Sequence, residues 1–552
     1  MTAKRALFGI ALLILAPGTA LAMVPDADGE MRQYVRARLA DADGMPEAAA
    51  NSYAKLLQAS PTDRRLALRT YRQALTAGNF KLAGQAARQL DSLGALPTDG
   101  SLMLFSEAVA VRDWRLADQI VTRIDREQVF GFLVPVMRGW VAFGRGSSDA
   151  ARLAAPAGGS QLANAYSRDH HILIELAMGR SEALADIRKL ATANDTRSLR
   201  LQLAAGALFA KRGEIDKARL ALEGRAPELA RARAQLDAGR PIPGAVDSAE
   251  RGLSDLFAQL AIDVKGDGRS PISLQLARMA CHMAPSNAAA IIATADLLSG
   301  NSYNESALKL TLQVPADNPL FEVARQQRSG ILMQMGDRQA ALGDAEKAAA
   351  RPDAPSNAFV ELGGILSDLE RHEEAAKAYQ KAIDKDEAEG IKSWVHLFLK
   401  AGALDRSGDW EGAKALLRQA NAIAPGQAMI LNYLGYGMLD RGENLAEAQT
   451  YIERASGLDP NDAAIADSLG WLYYKRGNYR GAIPALERAV AGDPGQSVMN
   501  EHLGDAYWAV GRRMEARYSW RAALVQADKA SADRINRKLS DGPGETLSAN
   551  DR

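Results

Sequence analysis

Cysteine is nearly absent from this chain. Cys281 is the only one in 552 residues, so no intramolecular disulfide can form and a multi-cysteine zinc site is excluded. Its apolar helical surroundings, LARMACHMAP, mark it as a core residue. Histidine is scarce too. Only His170 and His171, of six, are close in sequence, and neighbours on a helix point about 100° apart, which does not suit joint chelation. No metal site and no cofactor are expected. An excess of charge of one sign is also missing: Lys plus Arg and Asp plus Glu number 67 each. That balance removes the electrostatic case for nucleic acid or an anionic membrane surface. Strand-like alternation is nearly absent. No GxSxG, HExxH or paired-cysteine motif occurs. Asp263 to Gly268 fails as a calcium loop, with Lys265 in third place and Leu274 in twelfth. Gly144-Arg145-Gly146 lacks the lysine of a phosphate loop. Both read as turns, and the chain reads as not an enzyme.

Long apolar runs are missing after the first residues. Lys4 and Arg5 precede an apolar run of 11 residues, Ala6 to Ala16, which is shorter than the roughly 20 that span a bilayer. Pro17 and Gly18 break the run, and Ala20-Leu21-Ala22 fits a small-x-small cleavage rule. Residues 1–22 are therefore expected to be a signal peptide, cleaved after Ala22. No cysteine follows to carry a lipid, and no later stretch is long enough to span. A short basic start and an alanine-rich chain point to a bacterial periplasm.

What the chain has is a period. Ala261, Ala295, Ser329, Gly363, Ala401, Gly435, Gly470 and Gly504 follow one another at steps of 34, 34, 34, 38, 34, 35 and 34. In the N-terminal half, Ala37, Tyr71, Phe105 and Gly139 are 34 apart, and Ala49, Ala83, Ala117 and Ala151 follow each by 12. His171 and Gly206 continue the series. A step of 55 then separates Gly206 from Ala261 and contains Arg240-Pro-Ile-Pro-Gly244, a break signal. The clearest unit is AAIADSLGWLYYKRGNYRGAIPALERAVAGDPGQ, Ala463 to Gln496. Gly470 and Ala482 lie where two helices cross. Leu469, Tyr473 and Leu486 recur at helical spacing, Gly477-Asn478 makes the turn, and Pro494 ends the unit.

These residues and this spacing resemble the tetratricopeptide repeat, a helix–turn–helix unit. The resemblance implies an all-α, right-handed superhelical solenoid of about fourteen hairpins. Degenerate repeats are expected over 23–240, a break at 241–253, and a second repeat block over 254–530. Residues 531–539 read as a polar capping helix and 540–552 as a disordered tail. The stretch from about Leu431 to Ala522, with LNYLGYGMLDRGENLAEAQTYIERA and HLGDAYWAVGRRMEARYSWRAAL, is similar to large repeat proteins of the bacterial envelope. One branch of these comprises lipoproteins that act as adaptors for carboxyl-terminal processing proteases. This chain lacks their lipid-bearing cysteine.

In this family the first helix of each unit lines the inner face at its second, fifth, ninth and twelfth positions. Over the last three units that rule picks Met429, Asn432, Tyr436 and Leu439, then Ala464, Asp467, Trp471 and Tyr474, then Val498, Glu501, Asp505 and Trp508. The candidate groove residues are Asn432, Tyr436, Asp467, Trp471, Tyr474, Glu501, Asp505 and Trp508. Aromatics on an exposed inner face suit binding anchors. Asn432 would hold the backbone of an extended peptide, and the acids would favour a basic or neutral one. A carboxylate clamp for acidic tails needs lysine or arginine at these places, which hold Asn432, Asp467 and Glu501. The same aromatics would also serve as packing between repeats. The expected role is a non-catalytic periplasmic scaffold binding envelope proteins. The alternatives are a protease adaptor and a polysaccharide export or assembly factor.

Overall fold

The structure is a computed structural model that describes residues 27–542, apart from 157, 159, 192–195, 266–270 and 353. The expected signal peptide, nearly all of the expected tail, and Gly266 to Gly268 of the rejected calcium loop lie outside the described residues. The described residues hold helices and no strand. The chain divides into two compact units, Met1–Gly336 and Asp337–Arg552.

Unit 1 opens with six helix pairs. They are α1 (Ala27–Ala42) and α2 (Pro46–Ala59), α3 (Arg64–Ala77) and α4 (Phe80–Ser92), α5 (Gly100–Ala110) and α6 (Trp114–Glu127), α7 (Val134–Gly144) and α8 (Ala150–Ala154), α9 (Gln161–Ala177) and α10 (Leu184–Ala191), and α11 (Thr196–Lys211) and α12 (Ile215–Ala221). A single helix α13 (Pro227–Asp237) follows. Two more pairs, α14 (Ala249–Lys265) with α15 (Pro271–Met283) and α16 (Ala288–Gly300) with α17 (Asn304–Thr311), precede α18 (Phe321–Gln334).

Unit 2 begins with α19 (Arg338–Ala349). Five pairs follow: α20 (Ser356–Asp368) and α21 (His372–Ala388), α22 (Trp394–Arg406) and α23 (Trp410–Ile423), α24 (Ala428–Asp440) and α25 (Leu445–Leu458), α26 (Ala463–Lys475) and α27 (Tyr479–Gly492), and α28 (Ser497–Ala509) and α29 (Arg513–Ala523). A 3₁₀ turn, Leu524–Gln526, leads to the last helix α30 (Lys529–Asp541). Thirteen pairs therefore lie whole within the units, and the unit boundary passes between α18 and α19.

The turn of α26–α27 shows how such a pair is made. After α26, Gly477 takes φ 76°, a left-handed conformation that favours glycine. Asn478 then caps α27 by accepting from the Gly481 backbone N–H at 3.0 Å. Gly470 sits where α26 crosses α27. A Cβ there would lie 2.5 Å from Leu486 and 3.2 Å from the Ala482 carbonyl, so a small residue sets the close approach.

Unit 1 departs from a simple stack. In a solenoid each repeat touches only its neighbours. Here α14 and α15 also pack against the first helices of earlier pairs, α15 on α3 and α5, and α14 on α5, α7 and α9. Phe257 stacks on Phe105 with ring centroids 6.2 Å apart, and His282 on Phe80 at 4.2 Å. Gly252 lets α14 meet the fully buried Trp140, since a Cβ there would fall 2.1 Å from the indole. The face that α3, α5, α7 and α9 share is thus filled by the chain's own later hairpin. The segment 241–253, read from its Pro and Gly as a break between blocks, lies within this unit. Ile242, Ala245 and Val246 are buried in its core, so it is a packed connection.

Candidate functional site

The inner-face rule can be followed helix by helix through unit 2. On α26 and α28 it selects residues that are already occupied. Asp467 faces His502, whose Nδ1 lies 2.9 Å from one carboxylate oxygen and 3.0 Å from the other. Trp471 is only 8% exposed, because its ring is stacked between His502 at 3.9 Å and Tyr474 at 4.8 Å. The Lys475 ammonium lies 5.0 Å from the Trp471 ring centroid. These aromatics are packing between successive first helices, which corrects their assignment as exposed anchors.

Glu501 and Asp505 are covered by α30. Arg534 grips Glu501 with two hydrogen bonds of 2.9 and 2.8 Å. Lys538 donates to Glu501 at 2.7 Å and to Asp505 at 2.6 Å. The Trp520 indole N–H donates to the other Asp505 oxygen at 3.0 Å. Ile535, fully buried, seats the helix between these cations. Trp508 is half-buried, with the Arg513 guanidinium 3.7 Å from its ring centroid and Trp520 at 5.2 Å. The two acids thus hold the terminal helix, which corrects their assignment as groove residues open to a ligand.

Burial pushes the Glu501 carboxyl up, but the Arg534 and Lys538 hydrogen bonds outweigh it and hold its pKa at about 2, against an ordinary 4.5. A depressed carboxylate contributes stability above its unfolded pKa and loses it as pH falls through the folded value. Lowering the pH from 4.5 toward 2 should therefore release α30. Thermal melts across that range should fall more steeply for the wild type than for Glu501→Gln. Parallel curves would mean that the cluster is not what holds the cap.

Asn432 and Tyr436, on α24, remain half-buried. The Asn432 Oδ1 is buried with no hydrogen-bond partner. Burial, reinforced by the charges of Asp440, Asp467 and Glu501, pushes the Tyr436 hydroxyl above its ordinary range.

One and two pairs earlier, the same face is open. On α22 the second, fifth and ninth places hold exposed Val395, half-buried Phe398 and Gly402. On α20 the fifth and ninth hold half-buried Val360 and Gly364. A Cβ on Gly402 would meet nothing nearer than the Tyr433 hydroxyl at 4.0 Å, and one on Gly364 nothing nearer than the Tyr379 hydroxyl at 3.9 Å. Phe398 leans edge-on against Tyr433 at 5.6 Å, whose hydroxyl donates to Asp405 at 2.9 Å. With exposed Met429, these residues form an apolar face with a glycine floor, bordered by half-buried Tyr436. The sequence carried the signal, because the rule that picked Asn432 picks Phe398 and Gly402 when moved back by one unit.

Among the described residues, no three His, Cys, Asp or Glu side chains gather to hold a metal ion, and no helix is long and apolar enough to cross a membrane. His170 is fully buried. Its Nδ1 accepts from the Trp140 indole N–H at 3.1 Å, and burial holds its pKa well below the usual value. Cys281 sits against the core, its Sγ 3.2 Å from the Thr294 hydroxyl.

Two family models of the tetratricopeptide repeat match unit 2, one at residues 356–388 and one at 465–497. The chain carries tetratricopeptide repeats. It is similar in fold to a repeat protein of Thermus thermophilus, TTC0263, at 21% identity over 33% of this chain and 98% of that one, with a TM-score of 0.30. It is also similar to a chain of the APC/C hetero-tetramer Cut9–Hcn1, at 16% identity over 87% and 98%, with a TM-score of 0.38. A tetratricopeptide repeat protein from Parabacteroides merdae matches at 15% identity over 45% and 96%, also at 0.38. No curated protein matches the sequence. Tetratricopeptide repeats are protein-interaction modules.

Proposed function

We propose that this chain is an exported, non-catalytic scaffold that binds a protein partner along the first-helix face of α20, α22 and α24. The observation that carries this reading is the uncovered floor at Gly364 and Gly402, beside half-buried Phe398. Glycine lets a partner's backbone approach closely, and apolar neighbours bury its side chains. The partner is a protein of the bacterial envelope, and the basic and apolar start of the chain supports delivery to the periplasm.

The test is a photo-crosslinker at Met429, in intact cells, followed by recovery from the periplasmic fraction. One protein should be captured by the wild type and lost on Gly402→Trp, which fills the floor with little steric conflict and should keep full helicity. Equal capture by both chains would overturn the groove reading. Recovery only from the cytoplasm would overturn the location.

A further inference from the structure

The last three second helices of unit 2 repeat in strict register. α25, α27 and α29 begin at Leu445, Tyr479 and Arg513, 34 residues apart. The outward side of α29 breaks the pattern. Met514 is 63% exposed, Tyr518 61%, and Val525, in the following 3₁₀ turn, 81%. The corresponding places hold Arg480, Pro484 and Ala491 one repeat earlier, and Ala446, Thr450 and Gly457 two repeats earlier. The repeat fold therefore requires no bulky apolar residue at these three places.

Charge changes at the same register. Gln449 and Glu453 on α25, and Ile483 and Glu487 on α27, become Arg517 and Arg521 on α29. Both arginines are exposed, and neither makes an ion pair among the described residues. The nearest acid in sequence, Glu515, is engaged by Arg512 at 3.0 Å. At about 100° per residue, Met514, Arg517, Tyr518 and Arg521 fall on one side of the helix, and exposed Val525 follows in the 3₁₀ turn. Ala516, Ser519, Trp520 and Ala523 pack on the other.

We propose that this stripe docks unit 2 onto an anionic lipid surface. Its apolar side chains stand 61–81% exposed, too open to serve as the walls of a peptide pocket. It does offer what an interfacial helix needs. Aliphatic and aromatic groups enter the headgroup boundary, and long arginines flank them to meet lipid phosphates. The chain's overall neutrality conceals this local excess of positive charge.

Flotation of the purified full chain with lipid vesicles tests the proposal. Vesicles of equal parts phosphatidylglycerol and phosphatidylcholine should carry the chain upward, and pure phosphatidylcholine should not. Binding should weaken with salt and fall about tenfold or more in Arg517→Glu/Arg521→Glu. It should also be lost in Met514→Ser/Tyr518→Ser/Val525→Ser, with circular dichroism unchanged in both variants. Gly402→Trp should float like the wild type, which separates this stripe from the partner-binding face. Absence of flotation, equal binding to both vesicle types, or wild-type binding by both charge and apolar variants would overturn it. So would a wild-type dimer that ignores vesicles and dissolves on the serine changes, since the stripe would then serve a second copy.

Discussion

Replacing Arg200 with alanine should destabilise unit 1 by about 3–5 kcal/mol, the usual effect of stripping one partner from a buried ion pair. Arg200 bridges two buried acids. It reaches Asp169 on α9 at 2.9 Å and hydrogen-bonds Asp255 on α14. Asp169 keeps Arg197 as a second partner. Asp255 would be left with only the neutral ring of His170, whose Nε2 is 4.0 Å away. Burial already pushes the Asp255 carboxyl above its ordinary range in spite of Arg200. Without the guanidinium, the cheaper course is for that carboxyl to take up a proton. Urea unfolding of Arg200→Ala should therefore show a lower midpoint. Arg200→Met/Asp255→Leu should recover much of the loss, because an apolar pair removes the stranded charge. A double variant no better than the single one would show that packing, and not charge, is what Arg200 supplies.

Gly252→Leu should be nearly as damaging, costing about 3 kcal/mol by overpacking. The would-be Cβ lands 2.1 Å from Trp140 Cε2 and 2.3 Å from Cζ2. The indole cannot retreat, since it is fully buried, bonded to His170 and edge-on to Phe143 at 5.6 Å. The hairpin α14–α15 should lift from the face it fills, exposing the connection 238–248 to protease. Gly402→Leu, at a glycine with open space, is the control and should melt like the wild type. Equal melting of Gly252→Leu and wild type would mean that α14 does not need this approach.

Much of this fold was legible from the 34-residue period, because hairpins such as α26–α27 are specified locally, by a small residue at the crossing (Gly470) and a left-handed turn residue (Gly477) before the cap of the second helix (Asn478). The candidate site was legible only in part. The inner-face rule reports which way a side chain points along its own helix, but not what lies opposite. Opposite Asp467 is His502, and opposite Glu501 is a helix that follows the last repeat and obeys no repeat pattern. So the rule gave correct directions at Trp471 and Glu501, where no open surface remains, and the open surface lies earlier, on α20 and α22. The 55-residue step before Ala261 was misleading for a related reason. Extra length between periodic segments looks the same in sequence whether it separates two blocks or carries the chain back across its own inner face.

That return has a consequence for how the protein is made. A chain is synthesised from its N-terminus, and its segments fold in order of emergence. Helices α3 to α9 can assemble early, but the residues that cover their shared face, Ala249–Met283, leave the ribosome only later. During that interval Phe105 and Trp140 look out on solvent. The nascent chain therefore carries a temporary sticky surface that the finished protein does not have, and a holding chaperone would find its foothold there.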